Sequence, residues 1–360
     1  IIIAGQGDCS YLDMKLNYIH LKDNVTNSIF VRISNVTFAN NSNESVIVNN
    51  NNNLLLDNVT FINNKRAIDN IGGYVVVEES LFLHNENVDG GAISVSNNGN
   101  LYIGNSSLYN NYAQNGGAVY FTGNGTMVLD RVTMGYNTAS QGGAVYVSSD
   151  SGILDIRNTT IASNKAEYGS AVYIYSGIGE ATFSISSSTF AYNVSTVGKG
   201  AVYNNNVTAY LLNTLITENY LLKNGNLIDH DDVSGQAPQS AKYNISGDFI
   251  TFNSIFETTY LYDEETDKYI FNGNFEDSRL KDNGGYQYTL MLSANSLAVD
   301  GGIVTGNDGF DQRGYQFVAV NNENLASYDR IGAGTARDIG AVERGGYIGY
   351  YTVNGGTGKN

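Results

Sequence analysis

Proline is nearly missing from this 360-residue chain, which has a single one, and there is one Cys, no Trp and only three His. One cysteine excludes an intrachain disulfide, so the chain must hold itself together by packing and hydrogen bonds. Lys and Arg number 19 against 35 Asp and Glu, a formal net charge of -16. That balance argues against nucleic acid as a partner, because phosphate contacts need clustered cations. No apolar run approaches the roughly 20 residues of a membrane-spanning helix, and no secretory leader pattern is present. The chain begins at Ile1, as a processed form or a fragment would.

What is abundant is Gly (41 residues), Asn, and short runs of Val, Ile, Tyr, Phe and Thr, a strand-and-turn composition. These recur with a period of about 26 residues, the signature of one unit stacked on copies of itself. An Asn repeats at Asn41, Asn64, Asn85, Asn111, Asn137, Asn164, Asn193 and Asn219, and three positions before each stands Phe38, Phe61, Phe82, Leu108, Met134, Ile161, Phe190 or Ile216. A small residue follows most of them, at Ala92, Ala118, Ala144, Ala171 and Ala201, with Gly90-Gly91, Gly116-Gly117 and Gly142-Gly143 before the first three.

Runs such as Asn53 to Asn64 alternate with period two, which marks strands. A repeat of this length makes one coil of three short strands, each pairing in parallel with its counterpart one coil on. The predicted fold is therefore all-β, a single-stranded right-handed parallel β-helix of roughly ten coils with almost no α-helix. Ile93, Val119, Val145, Val172 and Val202, followed two positions on by Val95, Phe121, Val147, Ile174 and Asn204, are expected inside. The alternate set, Ala92/Ser94, Ala118/Tyr120, Ala144/Tyr146, Ala171/Tyr173 and Ala201/Tyr203, is expected outside, with Tyr120, Tyr146, Tyr173 and Tyr203 as a surface ladder that covers the sheet or contacts a glycan or neighbour. The repeated Asn is expected at a bend, where its side chain bonds turn backbone and left-handed geometry is tolerated, and stacked amides can bond in a row.

Residues 1–277 read as the coils, with irregular loops at about 229–247 and 257–268. Residues 278–344 change character: Asp282-Asn283-Gly284-Gly285, Thr289-Leu290, Ser296-Leu297-Ala298-Val299-Asp300-Gly301-Gly302, Asp311-Gln312-Arg313-Gly314 and Asp338-Ile339-Gly340-Ala341-Val342-Glu343 follow in order. This series resembles the C-terminal part of choice-of-anchor Q domain proteins, surface β-helices of bacteria and archaea. The upstream steps are similar to repeats of chlamydial polymorphic membrane proteins and methanogen adhesin-like proteins. The resemblance implies a right-handed β-helix exposed on or outside the cell, with Asp300, Asp311, Arg313, Asp338 and Glu343 forming a capping network. Family members often continue into an anchoring signal, whereas a Tyr/Gly-rich tail, 345–360, follows here.

The fold also hosts polysaccharide-degrading enzymes, whose sites need carboxylates gathered on one face with a cation or Ca²⁺ nearby. The strongest acidic group is Asp229, Asp231 and Asp232 around His230, with no second carboxylate cluster recurring at coil spacing beneath it. The expectation is therefore no enzyme and no cofactor, with a structural Ca²⁺ at Asp229, Asp231 and Asp232 as the metal candidate. Asn-x-Ser/Thr steps make Asn24, Asn35, Asn58, Asn105, Asn124, Asn158, Asn206 and Asn244 possible glycosylation sites. Two structural roles compete: an adhesin module for glycans or cell surfaces, and a subunit of a head-to-tail fibre. Ile1, Ile2 and Ile3 read as an uncovered strand, and Tyr347, Ile348, Tyr350, Tyr351 and Val353 as a strand without a home partner, so a homopolymer outside the cell is the expected assembly.

Overall fold

A computed structural model describes residues 2–4, 10–13, 19–21, 30–228, 232–242, 244–246, 262–263, 268–269, 280, 282–283, 285–290, 292, 298, 311–314 and 340–342. The described residues contain strands and turns and no helix, and hence no helix long and apolar enough to cross a membrane. The strands wind into a parallel β-helix. Each coil contributes a strand to a first face (Asn100–Gly104, Thr126–Asp130 and Ile153–Arg157 in successive coils), to a second (Ser107–Tyr109, Thr133–Gly135, Thr160–Ala162) and to a third (Ile93–Ser96, Val119–Thr122, Val145–Ser148). Each of these strands pairs in parallel with its equivalent one coil away. Among the described residues the first two faces merge into one 18-stranded sheet and the third has nine strands. That reading also makes 229–247 a loop, and here it is corrected: Val233–Gly235, Ser240–Lys242 and Ile245–Ser246 pair with the preceding coil and form one more turn.

Strand alternation puts Val77, Ile103, Leu129, Ile156 and Ile185 in one fully buried column, and Ile93, Val119, Val145 and Val172 in another. Phe38, Phe61 and Phe82 stack 5.2 and 5.0 Å apart in a third. The Ala of the Gly-Ala step departs from expectation. Ala92, Ala118, Ala144, Ala171 and Ala201 are wholly buried, not outward. The reason is a corner: the Ala118 carbonyl accepts both the Ala92 and Ile93 N–H groups, at 3.0 and 2.9 Å, so two successive residues turn inward and alternation breaks. Ser94 is also buried. The two glycines before the Ala have different duties. Gly116 has φ +62, and a Cβ there would stand 2.0 Å from the Val119 carbonyl; one on Gly117 would meet the Gly143 carbonyl of the next coil at 2.2 Å.

The 278–344 region, expected to cap the end of the helix, lies instead along its flank in its described part. Leu280, Leu290, Leu292 and Ala298 form a second apolar core with Tyr109, Ala162, Ala191, Tyr192 and Leu215. These cover the outer side of the second face, which explains why its strands are buried on both sides. Gln312 is the polar pin. Its Nε2 donates to the Val132 carbonyl at 2.9 Å and to Thr133 Oγ1 at 2.7 Å, and its Oε1 accepts from Thr160 Oγ1. Thr133 Oγ1 also donates to the Tyr288 carbonyl, and Ala341 N–H to Thr189 Oγ1. Buried Asp311 and Arg313 pair at 2.6 Å, and Arg313 reaches the Asn283 carbonyl. Asp300, Asp338 and Glu343 lie outside the described residues, as do Ile1, Tyr347, Ile348, Tyr350, Tyr351 and Val353.

Candidate functional site

The eight repeated Asn residues are buried and linked end to end. From Asn64 to Asn219 the Oδ1 of one Asn accepts both the N–H and an Nδ2–H of the Asn one coil earlier, as Asn137 does from Asn111 at 2.9 and 3.0 Å, and Asn64 Oδ1 accepts the Asn41 N–H. The second Nδ2–H is taken by a strand carbonyl, that of Leu108 for Asn137. Links span 21 to 29 residues, so the ladder holds register while coil length varies. One detail corrects the sequence reading: the left-handed residue is the one before each ladder Asn. Asn40, Asn63, His84, Asn110, Tyr136, Ser163, Tyr192 and Glu218 have φ between 53 and 61. The ladder Asn itself uses its amide, not its backbone tolerance. Its far end is Asn219, whose Nδ2 donates to Asp232 Oδ1 at 2.8 Å. Asp232, one of the three expected Ca²⁺ ligands, thus terminates the ladder, while Asp229 and Asp231 lie outside the described residues; among those described, no three His, Cys, Asp or Glu could hold a metal ion together.

A shorter hydroxyl ladder, missed by the sequence reading, runs beside it. Ser106 Oγ accepts the Ser80 N–H and donates to the Gly104 carbonyl, and Thr159 and Ser188 repeat the arrangement.

On the third face the rings of Tyr120, Tyr146 and Tyr173 stack at 5.2 and 5.1 Å, and Tyr203 follows at 5.2 Å with its ring tilted by 44° to that of Tyr173. The rings are half-buried. Burial first, then the neighbouring Tyr173 and Tyr120 hydroxyls, push Tyr146 up to about 12. Lys199 Nζ sits 5.7 Å from the Tyr203 ring centre, closing that end of the stack.

The first face carries a charged column that sequence spacing concealed. Register places Glu78 beside Gly104, Gly104 beside Asp130 and Asp130 beside Arg157. Gly104 leaves the space that the Glu78 carboxylate fills, since a Cβ there would stand 2.6 Å from its Oε2. Burial pushes the Glu78 carboxyl up, against the Asn105 amide and Arg131, which draw it down. Asp130 meets Arg157 at 3.4 Å and Arg131 at 3.8 Å, and Arg157 also meets Asp155 at 3.4 Å. Tyr102 is pushed up to about 12, by burial and then by Asp130 and Glu78. Two carboxylates, Glu78 and Asp130, therefore stand two coils apart in one column with Gly104 between them, on a face far in sequence from Asp229 to Asp232. The signal that could have found them is the strand register itself.

A concave feature lies on the turn after the Asn ladder. Lys65, Glu86, Asn87, Val88, Tyr112, Gln114 and Ser140 line a cleft of about 540 Å³. The turn is held by its own backbone: the Gln114 and Asn115 N–H groups both donate to the Val88 carbonyl, and Val88 N–H donates to Asn87 Oδ1.

The expected glycan acceptors divide by geometry. Asn35, Asn58, Asn105, Asn158 and Asn206 are left-handed corner residues. Asn58, Asn105, Asn158, Asn206 and Asn244 already donate their amide nitrogens, to Asn35, Glu78, Asp130 and the Ser176 and Leu211 carbonyls. Asn124 is exposed, and its Oδ1, rather than its nitrogen, is engaged, by the Asp150 and Ser151 N–H groups. Asn24 lies outside the described residues.

No family model and no curated protein matches the chain. Among solved structures, the chain is similar to one whose title reads "Crystal structure of pectate lyase Pel9A", with a TM-score of 0.42 and 14% identity, over 95% of this chain and 88% of that one. The expectation that the protein is not an enzyme is corrected on this finding: a similar solved structure is an enzyme, so the exclusion falls. At that TM-score and identity the likeness supplies no argument about this chain's own chemistry.

Proposed function

We propose that the protein is an extracellular adhesive scaffold, displayed on or outside the cell, that binds through the flanks of its coil stack. The observation that supports this most is the division of labour between inside and outside. Buried polar side chains of the Asn ladder are spent on one another and on strand carbonyls, which fixes the stack, while an outer turn presents a cleft bearing exposed Val88 and Tyr112. The ordered motifs of residues 282–343 support kinship with choice-of-anchor Q domain surface proteins, and Gln312 within one of them pins the C-terminal segment to the coils. Protease treatment of intact cells tests the location. Loss of the protein from unbroken cells is the expected outcome, and full protection until the cells are broken overturns the reading.

The second reading, head-to-tail polymerisation, has its own support. Ile2–Ala4 pairs in parallel with Phe30–Ala39 on one edge. Its other edge can take a further coil, from this chain or a second copy. Negative-stain imaging and sedimentation should show filaments that disperse in Ile2→Lys or on deletion of 345–360. Unchanged filaments in both variants, or a single rod at all concentrations of the intact chain, remove the polymer and leave the adhesive reading standing.

A further inference from the structure

We propose that the cleft around Tyr112 is a binding site for a neutral oligosaccharide, an assignment that rests on the adhesive reading and gives it a ligand class. Successive coils place Lys65, Glu86, Tyr112 and Thr138 one above another after the ladder Asn: each N–H donates to the carbonyl of the ladder Asn one coil earlier, at 2.6, 2.9, 2.9 and 3.0 Å. Glu86 and Tyr112, and Tyr112 and Thr138, are in direct parallel register. The column therefore presents an ammonium, a carboxylate, an aromatic ring and a hydroxyl at about one coil spacing, ~4.8 Å apart.

Tyr112 is 57% exposed and Val88 62% exposed, both within this one cleft. An exposed ring next to an exposed aliphatic residue is an apolar platform, and the groups beside it are Asn87, Gln114 and Ser140, which both donate and accept hydrogen bonds. A pyranose has the matching chemistry, an apolar C–H face edged by hydroxyls that donate and accept. Stacking its C–H face on Tyr112 removes apolar area from water, and the amides and charged groups supply orientation.

Charge selects the class of sugar. The cleft holds one cation and one anion, so it has no net charge, within a chain of net charge -16. A uronate polymer would meet repulsion from the whole molecule and no surplus cation at the site. Size decides against a protein partner: the platform is a Tyr and a Val hemmed by polar groups, short of the roughly 1,000 Å² that a stable protein interface buries. The site is also pre-formed, because the Val88 carbonyl holds the Gln114 and Asn115 N–H groups at 2.7 and 3.3 Å and Lys65 Nζ is fixed on the Asn43 carbonyl at 2.9 Å. A rigid cleft saves the ordering cost that loops otherwise incur on binding.

The chain has no Trp, so Tyr112→Trp keeps an aromatic platform and makes it the sole indole reporter. The probes are cellotetraose, maltotetraose, mannotetraose and chitotetraose, with tetragalacturonate as the charged comparison, read by calorimetry on the intact chain and by indole emission in Tyr112→Trp. At least one neutral tetrasaccharide should bind in the millimolar range or tighter and shift the emission, and tetragalacturonate should not compete with it. Tyr112→Ala should weaken that binding by about tenfold or more and Gln114→Ala by about threefold, both with unchanged circular dichroism. Binding of none of the neutral probes, binding unchanged in Tyr112→Ala, or preference for tetragalacturonate overturns the assignment. If intact cells still expose the protein when no probe binds, the cleft assignment fails and the adhesive reading survives; if the protein is sealed inside the cell, the reading itself fails.

Discussion

Two ladders run along this molecule at the same spacing, one of Asn inside and one of Tyr on the third face, and they are stabilised by different physics. The Asn ladder is buried, so its worth is set by what happens when a link is lost: a donor or acceptor stranded away from water costs about 1–3 kcal/mol. The Tyr ladder is half-buried and its rings stack 5.1 to 5.2 Å apart, so its worth is the modest gain of aromatic contact, about 0.5–1.5 kcal/mol per pair. Equal regularity in sequence thus conceals unequal importance. A residue repeated because it must satisfy its neighbours is not interchangeable, whereas one repeated because it packs well against its own kind is.

The largest effect should come from breaking the interior. Asn137→Ala removes the acceptor for the Asn111 N–H and Nδ2 and the donor to the Leu108 carbonyl and Asn164 Oδ1. The expected loss is about 3–6 kcal/mol, from two to four buried groups left unsatisfied. Val145→Asp, which places a carboxylate in a wholly buried column, should prevent folding altogether. By contrast, Tyr146→Ser should fold and lose about 1–3 kcal/mol, the sum of two stacking contacts. Denaturant unfolding of the three variants checks the ranking. Equal damage from Asn137→Ala and Tyr146→Ser would show that the outer stack is as essential as the inner one.

The contrast also explains what could be read from the chain alone. Both ladders were legible because each is one residue type at one coil spacing. The buried position of the Ala set was not, because the double-acceptor carbonyl at that corner breaks the period-two rule and leaves no trace in residue type. Nor was the left-handed residue, since Asn, His, Tyr, Ser and Glu all occupy it and share only the next residue's Asn. The Glu78, Asp130 and Arg157 column was hidden by coil length: links of 21, 26, 27 and 29 residues shift the sequence spacing of spatial neighbours. Flank docking of the C-terminal segment was hidden by distance along the chain, because Gln312 meets Thr160 and Val132 across 152 and 180 residues. A repeat announces contacts with itself, not with a segment outside it.

Titration offers the finest separation of the two ladders, because one can ionise and the other cannot. Tyr146 is raised from its ordinary value of 10.0 to about 12, with burial the leading cause. The folded state therefore holds that proton more tightly than the unfolded chain does. The stability this contributes is fully present below pH 10 and is lost as pH rises through about 12. Raising the pH across this window should lower the melting temperature, and Tyr146→Phe, which has no phenol to ionise, should flatten part of the fall. The remainder should persist, since Tyr102 is also raised to about 12 on another face. Amides do not titrate here, so a matched series in Asn137→Ala should show a lower melting temperature throughout with the same alkaline slope as the native chain. A native-like slope in Tyr146→Phe would mean that the stacked phenols ionise freely in the folded protein, and that the outer ladder is open to solvent rather than half-closed by its own rings.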